Sequence, residues 1–358
     1  MRRIRRHTSP GVYTQITDIS AFNMSKYKRF FHEKSDDIEI NNGGNTPQPE
    51  PQPEPEKYLV FTAKEDNSTI SLNKLSSNQE LEYSYTKDTN AIWTQFDTDT
   101  TIELTHEGDK VYIRGILGAD NSNSNYTQFN MTGKIAASGN CNAIWDWNKL
   151  ETLREYCGFS LFEGCTSLTE ADELELPATT LAEGCYRKMF KGCTSLIEAP
   201  KLLAEICSGK DCCINMFEEC TSLTTAPELP AKTLSTSCYK KMFLDCTGLT
   251  KAPDVLPAET LSENCYSNMF ENCTSLEVAP ELPATTLFKK SYYEMFRGCK
   301  LLKNIKCLAT DISASDCTEN WVNGVSSTGK FIKHPDMNNW STGANGIPSG
   351  WDIEEAVL

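Results

Sequence analysis

Cys185-Tyr186-Arg187-Lys188-Met189-Phe190-Lys191-Gly192-Cys193-Thr194-Ser195-Leu196 is a phrase that the chain repeats. Reduced to C-Y-x-x-M-F-x-x-C-T-S-L, it returns at Cys212–Leu223, Cys238–Leu249 and Cys265–Leu276. A degenerate copy opens at Cys157 and another at Ser291. The second cysteine of each copy falls at 165, 193, 220, 246, 273 and 299, a step of 26 to 28 residues. A fixed step of that size marks a solenoid, in which each unit buries its apolar face only against its neighbours.

Comparing the copies separates core from surface. Phe162, Phe190, Phe217, Phe243, Phe270 and Phe296 share one slot, and Leu168, Leu196, Leu223, Leu249 and Leu276 share another, with Leu302 nearby in the last copy. Invariant slots of this kind predict packing. Thr166, Thr194, Thr221, Thr247 and Thr274 follow the second cysteine, where a hydroxyl can bond backbone at a turn. Leu-x-x-Ala-Pro-x-Leu-Pro then reads as a short strand, which its prolines keep from growing long. Cys185, Met189 and Phe190 have helical spacing within 182–191. The expectation is therefore an α/β solenoid over 141–320, each of six repeats a strand, a turn and a short helix. At about 4.8 Å per strand, the block is roughly 30 Å long.

The variable slots between the Leu and the Ala are Thr169 and Glu170, Ile197 and Glu198, Thr224 and Thr225, Thr250 and Lys251, Glu277 and Val278, and Lys303 and Asn304. On a strand face they form a stripe across the repeats. The expected ligand face is Thr169, Glu170, Glu198, Thr225, Lys251, Val278 and Asn304, because solenoids recognise partners with exposed, variable positions. A solvated face is the alternative.

Sixteen cysteines suggest a disulfide scaffold, but their places argue for packing. They recur beside Met-Phe and Leu, where a free thiol serves as a small apolar group. The pair within a repeat is eight apart, unlike the C-x-x-C of a zinc knuckle. Buried free thiols are the leading expectation, with some disulfides as the second and metal as a distant third. The histidines His7, His32, His106 and His334 have no motif partner, and no phosphate loop, nucleophile elbow or H-E-x-x-H is present. The sequence points to a non-enzyme without cofactor or metal.

The remaining chain divides by composition. Residues 1–40 open with Arg2, Arg3, Arg5 and Arg6 on a chain of net charge −15. That balance disfavours nucleic acid and suits docking onto an acidic protein surface, with a solvated tail as the alternative. No signal peptide follows the arginines, and no run reaches the roughly 20 apolar residues of a membrane span, so the chain is expected to stay in the cytoplasm unless assembly carries it out. Ser9-Pro10-Gly11 is turn chemistry, and Val12-Tyr13-Thr14-Gln15-Ile16-Thr17-Asp18-Ile19 reads as one strand in need of a partner's sheet edge. Phe22–Phe31 reads either as a docking helix or as a basic linker. Residues 41–57, with Pro47-Gln48-Pro49-Glu50-Pro51, form a semi-rigid polyproline spacer. Residues 58–140 alternate with period two between Gly, Asn and Asp turns, as in an all-β sandwich. Residues 321–358 lose the period and place Trp321, Trp340 and Trp351 among glycines. They read as a C-terminal cap or, alternatively, as a Trp-lined glycan site.

Two resemblances bear on these residues. M-F-x-x-C-x-x-L with the following L-P resembles the BspA-like leucine-rich repeats, common among gut Bacteroidetes surface proteins and their phages. This chain departs in its Met before Phe and its extra Cys. The resemblance implies strands on one face and helices on the other. Thr8 to Ser20 (T-S-P-G-V-Y-T-Q-I-T-D-I-S) is similar to the start of contractile phage tail sheath proteins, whose body does not follow here. It implies an arm that adds a strand to a neighbouring virion protein, through Arg2, Arg3, Arg5, Arg6, Pro10, Gly11, Val12, Tyr13, Ile16 and Ile19.

Taken together, these readings make three expectations. The first is a phage virion accessory or fibre-like protein, assembled in the host cytoplasm. Its arm would hold a virion structural protein, and its repeats would hold a host-surface glycan or protein. The second is a BspA-like adhesin on a bacterial surface. The third is an intracellular interaction scaffold. The oligomeric state is left open.

Overall fold

The computed structural model describes residues 58–77, 79–116, 122–145 and 153–357. The expectations for the arm, the spacer and the arm's docking residues lie outside these. These described residues belong to one compact unit. It is nearly all β. The one helical element among the described residues is a short 3-10 turn, Cys141–Ile144.

The first part has eight strands: β1 (Leu59–Ala63), β2 (Ser68–Lys74), β3 (Glu80–Ser84), β4 (Thr94–Phe96), β5 (Ile102–Leu104), β6 (Lys110–Ile116), β7 (Gln128–Thr132) and β8 (Ile135–Asn140). One sheet runs β8-β1-β6-β3-β4 and the other β5-β2-β7, all antiparallel. Alternation puts Leu59, Phe61, Leu81, Val111 and Ile113 inside, and Phe61 meets Phe129 of the opposite sheet at 5.1 Å between ring centres.

The sheet does not stop at residue 140. β9 (Leu168–Glu170) and β10 (Leu174–Glu175) of the first coil pair with β8 in parallel, Ile135 opposite Leu168 and Gly139 opposite Leu174. Phe162 stacks on Phe129 at 5.6 Å. The antiparallel part therefore closes the first end of the solenoid, and one apolar core runs through both.

The solenoid has about seven turns. Its strands are short: β11 (Thr180–Leu181), β12 (Ile206–Cys207) and β13 (Thr233–Leu234) form one parallel ladder, and single bridges extend it through Thr260, Thr286 and Asp311. β14 (Asn304–Cys307), β15 (Lys330–Lys333) and β16 (Asp352–Glu355) form a parallel sheet at the far end. The stretch 321–358 thus continues the coils although its sequence loses the period. Trp321 is fully buried and stacks on Tyr292 at 6.1 Å and on Trp340 at 5.5 Å. Its indole N–H donates to the Gly346 carbonyl, and that of Trp351 donates to Ser326. These rings are packed inward.

The expected α/β leucine-rich-repeat architecture is corrected, because the helix over 182–191 and its equivalents is absent. In its place lies a strip of tight turns. The amides of Ser237, Tyr239, Lys241, Phe243 and Asp245 each donate to the next coil, all at 2.9 Å. The amides between them, Lys240, Met242 and Leu244, donate three residues back. A helix would send every amide four residues back along its own chain. The backbone cause is a left-handed residue at every fourth position: Ser237, Lys241 and Asp245 at φ 61°, 58° and 60°, then Asn264, Asn268 and Asn272 at 58°, 56° and 60°. A left-handed residue costs roughly 1–2 kcal/mol except for Gly, Asn and Asp, and those three types fill most of these slots. Half of the strip's amides are thereby turned across the coils.

The fixed residues of the phrase line the core. The Phe rings form one column, with centres 5.3 Å apart from Phe162 to Phe190 and again to Phe217, then 5.6, 5.4 and 5.7 Å on to Phe296. The second cysteine has a specific task. Cys193, Cys220, Cys246, Cys273 and Cys299 each donate the thiol proton to the Phe carbonyl one coil earlier, at 2.9–3.1 Å, and Cys165 donates to the Phe129 carbonyl of β7 at 3.2 Å.

Gly209 sits where two coils approach closely. A Cβ there would lie 2.0 Å from the Glu183 nitrogen and 2.2 Å from the Ala182 carbonyl carbon. Both are backbone atoms that cannot rotate away. Gly209→Ala should cost about 3 kcal/mol, the upper end for overpacking. The expected result is a clearly lower urea midpoint, and an unchanged midpoint would contradict the close approach.

Candidate ligand face

The expected stripe is a physical column. Parallel bridges join Glu170 to Glu198, Thr225 to Lys251 and Val278 to Asn304. β14 to β16 extend the column, with Asn304 opposite Lys330 and Lys330 opposite Asp352. Lys330 and Asp352 escaped the sequence reading because the phrase had ended before them; the β-branched and aromatic run Lys330-Phe331-Ile332-Lys333 was their available signal.

The column is not uniform. At its first end Thr169 donates its hydroxyl to the Ile135 carbonyl at 3.1 Å, and Glu170 pairs with Lys64 at 2.6 Å. The Glu170 carboxylate raises the Lys64 pKa by accepting its hydrogen bond. These two residues tie the coils to the antiparallel sheets. Lys251 lies 3.5 Å from Asp254, while Val278 is 53% exposed.

The bridges join the column in pairs. Among the described residues no backbone hydrogen bond links 197–199 to 224–226. A groove of about 610 Å³ opens at this interval. Its cause is a change of sequence. Where later coils read Pro227-Glu228-Leu229-Pro230 and Pro280-Glu281-Leu282-Pro283, this coil reads Pro200-Lys201-Leu202-Leu203. The loss of the second proline leaves Leu203 at the surface, 42% exposed, facing a groove that also holds Ile197 at 48%. Asp172, Glu198, Glu228 and Lys201 supply the charge around it. The arrangement offers apolar contact inside a mainly acidic rim. Glu198 and Thr225 are the expected face residues that line it; Ile197, Lys201 and Leu203 were not singled out for the face.

All sixteen cysteines are free and buried. Burial pushes Cys165 up to about 12, and Cys193, Cys220 and Cys273 well above the ordinary range. The densest group arises because Cys207 takes a Leu slot and Cys213 a Tyr slot. Cys207, Cys212 and Cys238 are then neighbours, with Cys238 donating its thiol towards the Cys207 carbonyl at 3.8 Å. Cys212 is held up by its neighbours Cys207 and Cys238 and by burial, while the neighbouring Cys207 and Cys212 lower Cys238. Among the described residues no group of three His, Cys, Asp or Glu is placed to hold a metal ion.

Comparisons with protein-family models, curated proteins and solved structures find no match.

Proposed function

We propose that this chain is a non-enzymatic binding protein of a phage particle, with the groove at Ile197, Glu198 and Leu203 as its contact for a host-surface protein. Residues 1–40 attach it to a virion structural protein, the spacer 41–57 projects it, and the coils present the ladder face. The observation that carries the reading is the groove itself, where Leu203 stands in place of the second proline and two large aliphatic side chains, Ile197 and Leu203, are exposed on the variable face. A local break in the repeated pattern that opens a groove is the form a specific site takes on a repetitive scaffold. An apolar floor beneath Asp172, Glu198 and Glu228 suits a protein segment with an aliphatic anchor next to a basic residue, in preference to a glycan. The virion placement rests on the sheath-like segment Thr8–Ser20.

Two measurements test the two halves. Mass spectrometry of purified particles should find the chain, and its absence would reject the virion placement. Host-cell binding by the purified protein should fall at least tenfold in Ile197→Asp and Leu203→Asp, and be unchanged in Thr310→Asp on the opposite ladder. Equal binding by all three variants would remove the groove from the account.

A further inference from the structure

A second hollow lies on the antiparallel part, at the turn between β3 and β4. It holds about 360 Å³ and is lined by Tyr83, Tyr85, Thr86, Asn90, Ile92 and Thr94, with Ser84 beneath. Its volume is at the lower end of the roughly 300–1,000 Å³ of small-molecule sites. Two observations define its chemistry. First, none of the lining side chains is charged, on a chain that is 23% charged and carries a net −15. Second, it sets large apolar side chains beside spare hydrogen-bonding groups. Ile92 is 82% and Tyr85 51% exposed. Tyr85 is held in place, its hydroxyl donating to the Glu103 carbonyl at 3.3 Å and its ring standing edge-on to Tyr83 with centres 5.8 Å apart. Among the described residues, the hydroxyls of Thr86 and Thr94 and the side-chain amide of Asn90 bond no other protein group, and all three side chains are at the surface.

We infer that this hollow binds a neutral pyranose. A hexose has the matching duality: its C–H face is apolar and lies against an aromatic or aliphatic wall, while its hydroxyls take and give hydrogen bonds around the rim. An anionic ligand finds no cation in this lining, and a purely apolar ligand would leave Thr86, Asn90 and Thr94 facing it without partners. The loop is held by its own bonds, the Thr86 backbone N–H donating to the Ser84 hydroxyl and the Asn90 backbone N–H to the Asp88 carboxylate. This site is separate from the repeat groove, and either assignment can fail without the other.

Saturation-transfer difference NMR on the full chain tests it, with a panel of methyl α- and β-glycosides of glucose, galactose, mannose and N-acetylglucosamine at millimolar concentration. At least one glycoside should receive saturation, strongest on its C–H face. Tyr85→Ala and Asn90→Ala should each weaken it about tenfold, whereas Ile197→Asp should leave it unchanged. Stronger binding by the corresponding short oligosaccharides would identify a glycan chain as the source; equal binding would identify the free sugar. No transfer from any glycoside to the wild type, or transfer unaltered in Tyr85→Ala, overturns the proposal. Competition for the hollow by a protein partner with no glycoside binding would also overturn it. Both side chains replaced are largely exposed, and an unchanged urea midpoint verifies that the variants are folded.

Discussion

At pH 10 the protein should unfold in far less urea than at pH 7. The cause is the set of buried thiols. Burial raises Cys165, Cys265 and Cys307 from the ordinary 9.0 to about 12, and it holds Cys193, Cys220 and Cys273 well above the ordinary range. In the unfolded chain these groups ionise near 9. A folded pKa above the unfolded one contributes stability that is complete below the unfolded value and is lost as pH rises towards the folded value. The window is therefore pH 9 to 12. At pH 10 each such thiol forfeits about 1.4 kcal/mol. Six of them together lose on the order of 8 kcal/mol, comparable with the 5–15 kcal/mol that holds a typical domain together. The urea midpoint should be level up to pH 8, fall steeply by pH 10 and recover on return to neutral pH under a reductant. A midpoint unchanged at pH 10 would mean that the thiols are not buried as described.

The second large effect is expected in the phenylalanine column. Phe243 is fully buried between Phe217 and Phe270, with ring centres 5.6 and 5.4 Å away. Phe243→Ala should cost about 3–5 kcal/mol. A solenoid is stabilised by interfaces between neighbouring coils, so a gap in the middle weakens two interfaces at once. The variant should unfold in two steps, while Phe162→Ala, at the start of the repeats, should keep a single transition at reduced stability. A loss below 1 kcal/mol at Phe243, or one transition for both variants, would contradict a continuous column.

How far the sequence was legible follows from which rule each residue obeys. The repeat, the Phe and Leu slots and the packing role of the cysteines were visible because a one-dimensional array must place the same side chain at the same depth in every coil. Glu170, Glu198, Thr225, Lys251, Val278 and Asn304 were placed on one column for the same reason. The helix was misread. Cys185, Met189 and Phe190 satisfy helical spacing, but a strip of turns with a period of four buries those positions too. The distinguishing signal was present: Asp211 and Asn215, and Asn264, Asn268 and Asn272, recur four apart, and Gly184 and Gly192 eight apart, at a density of left-handed formers that a helix does not tolerate. The groove was hidden differently. It depends on Leu203 standing where Pro230 and Pro283 stand in later coils, a difference that the shared slots do not display.

The central claim is that the conserved phrase forms turns bonded across coils rather than a helix. Carbon secondary chemical shifts over residues 237–246 of the full chain test it most directly. The account expects them to alternate, with left-handed values at Ser237, Lys241 and Asp245 and no sustained helical run. An unbroken run of helical shifts across those ten positions would contradict it.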